Sequence, residues 1–444
     1  MKPSLRGVLF ASSIGSALEW YDFYLYSIAS AIVFNHLFFP SLSPVLGTIA
    51  SFATMGVGFI ARPFGGVIFG HLGDRLGRKP VLIATLILVG GGTTLIGLLP
   101  TYSQIGMWAP LMLLILRLAQ GLGTGAEYGG SIIMAVEYAP ARRRGLFASG
   151  PAMGVSIGNL LAFGSFALVS FLWKQELLQW AWRIPFLLSF LVVLLGIYVR
   201  RRVAETPAFE SISKKGEIRR LPLLAAFREN KRSLLIVIFA QMGQNGMAYM
   251  FNVFGLSYVA NQLRVPRNDA LLALLCATII QIFTIVGVSV LSDRIGRRPV
   301  YIGAALFTAL MAFPFFWLLG SGHLILIYLG FALASGIGYA GMLGTQPAFF
   351  VELFGPATRF SGFAVAREIG TLIGGAPVPA VSVMLVAWMG GQPWAVAWYI
   401  VVLCLITAVT IFLSPETYRR ELGVSVPDGD DRSAQLSSTL REAR

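Results

Sequence analysis

Long apolar runs separated by short polar loops recur along the whole chain, near residues 7–34, 46–70, 81–100, 107–138, 146–172, 183–202, 232–260, 270–291, 300–320, 323–352, 361–388 and 394–414. Each is long enough to cross a ~30 Å hydrocarbon layer as a helix, which takes about 20 residues. The pattern predicts an all-α polytopic membrane protein with twelve transmembrane helices. The first run is unusual, because SALEWYDFYLY at 16–26 puts Glu19 and Asp22 inside it.

Composition agrees with the pattern. The 444 residues are 56% hydrophobic and 12% charged, against roughly 25% charged in a soluble domain. The net charge of +14 would suggest nucleic acid in a soluble protein, so the location of the charges decides its meaning. With an even number of crossings, the loops and termini on the side of the N-terminus hold 27 of the 34 Lys/Arg, while the other side holds only Lys174, Arg183, Arg264 and Arg267. That asymmetry places both termini in the cytoplasm and lets the basic loops meet anionic lipid. No aromatic platforms interleave these loops, so nucleic acid is not an expected partner. Residues 1–34 have the basic start of a signal peptide, but the two acids and the length of the run point to a retained first helix. Three scattered histidines and two cysteines, Cys276 and Cys404, in apolar spans give no metal-ligand spacing, so neither a metal nor another cofactor is expected.

The chain repeats itself. GDRLGRKP (73–80) returns as SDRIGRRP (292–299), with Asp74 and Asp293 219 residues apart, and VEYAPARRRG (136–145) returns as VELFGPATRFSG (351–362), with Glu137 and Glu352 215 apart. Two motifs at nearly one offset indicate duplicated six-helix halves. The expected organisation is an N-terminal half at 1–202, a polar linker at 203–231, a C-terminal half at 232–415 and a disordered tail at 416–444. Parallel repeats around an axis along the membrane normal suit a transporter that rocks two halves about a central site.

These motifs carry a resemblance. GHLGDRLGRKP resembles the helix 2–3 signature of the major facilitator superfamily. Together with LEWYDFYLY, RLAQGLGTGAEYGGS and WRIPF it resembles the metabolite:proton symporter family, and within it the shikimate-type transporters. The resemblance implies two pseudo-symmetric halves and a gating role for Asp74, Arg75 and Arg78, with Asp293 and Arg294 as counterparts. Arg367 and Glu368 in GFAVAREIGTLIGG depart from the shikimate-type pattern, where uncharged residues are expected.

Ionisable groups in the spans are the candidate chemistry, since one at a helix centre costs about 2.5–3.5 kcal/mol and normally faces a cavity or a partner. Arg117 lies roughly 15 Å into helix 4, and Glu19 and Asp22 lie roughly 18 and 22 Å into helix 1 from the opposite face. A carboxylate–guanidinium meeting is therefore feasible. Two readings stay open: a fixed ion pair between helices 1 and 4, or an arginine that holds an organic anion while a carboxylate takes up a proton. An anion competing for an arginine makes protonation of that arginine's carboxylate partner easier, which is a route to symport.

Ser12, Gly15, Ser16, Glu19, Asp22 and Tyr26 share one polar face of helix 1. Gln120 sits beside Arg117, and Glu127, ten residues on, is a second proton site or a gate contact. Gly121, Gly125 and Gly129 read as a packing ladder. Helix 7 carries Gln241, Gln244, Asn245, Tyr249 and Asn252, and helices 8 and 10 add Gln281 and Gln346, either lining a wet cavity or bonding helices together. Arg367 is a second anion contact or pairs with a carboxylate of the other half. GIGYAG (336–341) has dinucleotide-loop spacing but lies in an apolar span, so it is packing glycine.

The expectation is a monomeric proton-coupled symporter importing a small organic anion such as a hydroxylated or cyclic monocarboxylate. An exporter or exchanger on the same scaffold is the alternative. An enzyme would need a nucleophile–base pair or a metal cluster, and the sequence shows neither.

Overall fold

The computed structural model describes residues 5–76, 78–125, 127–137, 139–202, 230–355 and 359–420. Within them the backbone is helical, with no strand among the described residues. Twelve long helices follow one another. The first half comprises α1 (Leu5–Ile32), α2 (Pro44–Leu76), α3 (Arg78–Leu98), α4 (Trp108–Glu137), α5 (Arg144–Leu172) and α6 (Arg183–Arg202). The second comprises α7 (Lys231–Gln262), α8 (Arg267–Ile295), α9 (Arg297–Leu319), α10 (Leu324–Glu352), α11 (Arg359–Gly374 continued by Val378–Trp388) and α12 (Trp394–Phe412). Among the described residues ten spans are apolar and long enough to cross a membrane; α3 contributes a shorter apolar stretch, Ile83–Leu98. The 28 residues of α1 are long enough as well, but Glu19, Asp22 and four Tyr/Trp residues dilute its hydropathy.

Packing follows the repeat. α1 lies along α5, α2 against α4, and α3 against α6; in the second half α7 lies along α11, α8 against α10, and α9 against α12. The halves meet through α5 with α8 and α2 with α11. Advancing every label by six maps one set of contacts onto the other, as a twofold relation between halves requires.

Polarity runs inside out, as a lipid solvent demands. On α4, Leu111, Met112, Ile115 and Leu118 are exposed to the exterior, while Arg117, Gln120 and Gly121 are buried.

The halves are tied at the end that carries the basic loops. Asp293, near the end of α8, accepts the backbone N–H groups of Gly145 at 2.8 Å and Leu146 at 2.9 Å, capping the start of α5. Arg297 Nη1 pairs with Asp293 at 2.8 Å and its Nη2 with Glu352 at 3.1 Å. Arg359, which opens α11, reaches Glu137 of α4 at 3.0 Å. At the opposite end Asn261 Nδ2 donates to the Ala31 carbonyl at 3.1 Å, and Arg267 approaches His36 at 3.5 Å.

The segment expected to start a disordered tail is anchored as far as Arg420. Glu416 accepts the N–H groups of Arg297 and Arg298 at 2.9 and 3.0 Å, capping α9, and Thr417 Oγ1 donates to Glu352 at 2.6 Å. A carboxylate at a helix N-terminus is held by the unpaired N–H groups there, which explains why this polar stretch is ordered. Most of the predicted linker, 203–229, and residues 421–444 lie outside the described residues.

Candidate functional site

Arg117 enters the protein interior because α4 turns its polar face inward and α2 makes room for it. A Cβ on Gly58 of α2 would stand 2.7 Å from Arg117 Nε, so only glycine leaves space for the guanidinium. One turn along, α4 presses its own glycines on α2: a Cβ on Gly121 would fall 2.1 Å from the Gly58 carbonyl, and one on Gly125 would fall 2.0 Å from the Arg62 carbonyl. The ladder predicted from sequence therefore packs α4 on α2 through two of its three rungs.

The guanidinium of Arg117 lies over the rings of Tyr26, at 4.2 Å, and Phe23, at 5.1 Å. Such cation–π contacts are worth about 2 kcal/mol or more when desolvated. Gln120 Oε1 accepts from Arg117 Nη1 at 3.3 Å, and its amide nitrogen donates to Thr93 at 2.6 Å, which fixes the orientation of the pair. Tyr26 spends its hydroxyl on Thr54 at 2.6 Å. Arg117 Nε has no hydrogen-bond partner, and Arg117 joins no ion pair among the described residues.

The fixed Arg117–carboxylate pair considered from sequence is thus absent from this arrangement. Asp22 turns toward α6, where Ser189 donates to it at 2.9 Å. Glu19 lies 3.6 Å from a different arginine, Arg62 of α2. Arg62 also binds Glu368 of α11, with Nε 2.8 Å from Oε2 and Nη2 3.4 Å from Oε1, and Glu368 is held by Arg367 at 2.6 Å. Arg367 lies over the Tyr128 ring at 4.2 Å. Its ion pair is with its own neighbour, and it meets the other half through the Tyr128 ring of α4 rather than through a carboxylate there.

Arg62 is the functional candidate that the sequence reading missed. The signal was present: of 34 Lys/Arg only Arg62, Arg117 and Arg367 fall outside loops and termini, and the rule that flags Arg117 flags Arg62 equally.

Glu19, Asp22, Arg62, Arg117 and Gln120 line one cavity together with Phe23, Gly58 and Phe59. It leaves the room of about one water molecule. Three rings close it toward the second half. Tyr249 of α7 stands edge-on to Phe23 and Phe59 at 5.4 and 5.3 Å, and Phe23 meets Phe59 at 5.3 Å.

The polar face of α7 divides. Gln241 donates to Thr371 at 3.0 Å and accepts from Gln346, so both amides bond helices to one another rather than face an opening. Asn252 sits where α7 widens into a π turn at Met250–Phe254, which shifts the register by about one residue. It accepts from Ser335 at 3.0 Å; Ser335 in turn accepts from Gln281 at 2.7 Å, and Gln281 accepts from Ser156 of the other half at 3.1 Å. Asn245 Nδ2 and the Tyr249 hydroxyl are buried without a partner.

Of the predicted gating residues, Asp293 makes the contacts described above. Arg294 is exposed and in no ion pair among the described residues; one helical turn further on, Arg297 points into the interface instead. The side chains of Asp74, Arg75, Arg78 and Glu127 lie outside the described residues.

Comparison with known proteins bears on this geometry. The family model of the Major Facilitator Superfamily matches residues 13–374 and again 237–437. The chain belongs to the Major Facilitator Superfamily. Among its relatives is the shikimate transporter of Escherichia coli (strain K12), 38% identical over 417 residues, which cover 93% of this chain and 95% of that one. Another is the glycine betaine/proline/ectoine/pipecolic acid transporter OusA of Dickeya dadantii (strain 3937), 35% identical over 97% of this chain and 87% of that one. In structure the chain resembles the proton:xylose symporter XylE bound to 6-bromo-6-deoxy-D-glucose, with a TM-score of 0.75 over 94% of this chain and 98% of that one, at 19% identity. It also resembles XylE from E. coli in a partially occluded inward-open conformation, with a TM-score of 0.74 over 94% and 99% at 18% identity. As a member of the superfamily this is a twelve-helix, multi-pass membrane transporter, and the enzyme alternative falls away.

Proposed function

We propose that this transporter is a proton-coupled symporter of the bacterial inner membrane, with both termini cytoplasmic, that imports a small organic monocarboxylate by alternating access. The observation that carries the reading is Arg117: a buried cation on two aromatic rings, with Nε unpartnered and no carboxylate paired to it among the described residues. A buried charge normally has its counter-charge supplied, and here a carboxylate on the substrate supplies it. The named substrates of the two relatives above support this, since shikimate, betaine and proline all carry a carboxylate. Asp22, in the same cavity, is the group that takes the proton, with Ser189 positioned to hold it in place. Asn245 and Tyr249 offer their unused polar atoms to the rest of the ligand.

The test is uptake into proteoliposomes of radiolabelled shikimate, other cyclic and hydroxylated carboxylates, proline and betaine, with and without an inward proton gradient. Gradient-driven accumulation of at least one carboxylate, lost in Arg117→Ala, is expected. If no carboxylate accumulates, or if Arg117→Ala transports normally, the reading is wrong.

A further inference from the structure

The chain Glu19–Arg62–Glu368–Arg367 crosses from one half to the other through a single pair, Arg62 of α2 with Glu368 of α11. Both residues are buried, Arg62 at 3% and Glu368 at 5% exposure. Counting along each helix from the basic end, Arg62 and Glu368 lie roughly 21 and 14 Å deep, whereas Arg117 lies roughly 30 Å deep. The pair therefore stands between the Arg117 cavity and the basic end, and Arg62 itself lines that cavity.

We infer that Glu368 is an internal surrogate for the substrate carboxylate, an inference that rests on the monocarboxylate reading above. Arg62 takes its nearer counter-charge from Glu368, with Glu19 further off at 3.6 Å, and the Glu368 pair latches α2 to α11 beside a cavity with the room of about one water. A carboxylate entering between Arg117 and Arg62 offers Arg62 an anion from within its own half. Glu368 then falls back on Arg367, which already holds it at 2.6 Å, so no charge is left unpaired on either side of the exchange. The link between halves breaks only when a substrate anion replaces it, and Glu368 thereby sets both the affinity for carboxylates and the closure of the basic end. The Arg367 pairing makes the exchange feasible, because without it Glu368 would be released as an uncompensated buried charge.

The test uses the full chain with Cys276→Ser and Cys404→Ser, spin-labelled at Arg142→Cys and Arg419→Cys, which are exposed at the basic end of the two halves. Distances between the labels are read by double electron–electron resonance in nanodiscs, and shikimate is the ligand probe. Without ligand, Glu368→Gln is expected to raise the long-distance population about 5-fold or more, and Glu368→Asp, which keeps the charge, is expected to retain the parent distribution. Removing the internal competitor is also expected to lower the half-saturating shikimate concentration about 5-fold or more, the lower bound of a typical coupling. Parent-like distances in Glu368→Gln overturn the latch; altered distances with unchanged shikimate affinity overturn the surrogate role. If shikimate binds to no variant and not to the parent, the monocarboxylate reading loses its support, while the ligand-free distances still decide the latch. Should Glu368→Gln not purify as a folded protein, Arg62→Gln removes the same bond and is read by the same distances.

Discussion

Neutralising Asp293 perturbs a place where a carboxylate of the second half caps a helix of the first. Its two oxygens accept from Gly145 and Leu146 at 2.8 and 2.9 Å, and Oδ1 also receives Arg297 Nη1 at 2.8 Å. The Asp293 side chain is only 8% exposed, so solvent screens these interactions little. Asp293→Asn keeps the shape but leaves one acceptor oxygen for two N–H groups and removes the charge facing both Arg297 and the α5 N-terminus. Hydrogen bonds to charged groups contribute about 1.5–3 kcal/mol, and a charge at a helix N-terminus about 0.3–1 kcal/mol. Allowing for the hydrogen bond that the amide retains, the net loss is about 1–3 kcal/mol. Because the contact exists only while the halves are together at this end, the loss appears as a shift of about 5- to 150-fold toward conformations open at the basic end. Labels at Arg142 and Arg419 report that shift directly. Arg294→Gln, one residue away but exposed, should leave the distance distribution unchanged. A change of less than 2-fold in the long-distance population of Asp293→Asn would refute the claim that this cap governs closure.

Three further outcomes follow from the site. Gly58→Ala places a methyl group 2.7 Å from Arg117 Nε and should reduce carboxylate uptake about 10-fold, since overpacking costs about 1–3 kcal/mol; Gly91→Ala, which meets nothing within 4 Å, should transport normally in the same vesicles. Asp22→Asn should abolish accumulation driven by a proton gradient while sparing exchange of labelled for unlabelled substrate, and concentrative uptake at the parent level by this variant would move the proton role to Glu19 or Glu127. Glu416→Gln weakens the cap on α9 by about 1 kcal/mol, so the thermal midpoint of the purified protein should fall by a few degrees, measured by intrinsic tryptophan fluorescence; an unchanged midpoint would mean that the cap contributes nothing to stability.

The fold was legible because lipid imposes one dominant pattern. Twelve apolar runs and two motif pairs at nearly one offset sufficed, and each predicted run corresponds to one of the described helices. The site was legible only where a residue stood alone against its surroundings. Arg117 did so in LILRLAQ, and it is buried in a cavity with Glu19 and Asp22. Arg62, in RPFGG just ahead of the GHLGDRLGRKP signature, stood equally alone but was not weighed. Depth along a helix says how far a side chain lies from each face, but not which neighbour it meets, because azimuth depends on tertiary packing. Hence Asp22 and Glu19 were placed at the depth of Arg117, whereas their partners turned out to be Ser189 and Arg62. The π turn in α7 was not legible for a related reason: nothing in MFNVF marks the extra residue that it inserts.

The basic-end ties and the central pair share one electrostatic design. At the basic end, Asp293 of the second half caps α5 of the first, and Arg359 of the second reaches Glu137 of the first. In the centre Arg62 of the first half meets Glu368 of the second. Each link joins opposite charges, or a charge and a helix terminus, drawn from different halves. Such a link depends steeply on the separation of the halves, whereas the apolar packing within each half does not. Conformational preference can therefore be set by a few charged groups without loosening either bundle, provided that each group keeps a partner when the halves part. Arg297 keeps Glu352, and Glu368 keeps Arg367. Arg117 has no such reserve among the described residues, and under the proposed reading that difference separates a residue of the gate from a residue that takes its counter-charge from a ligand.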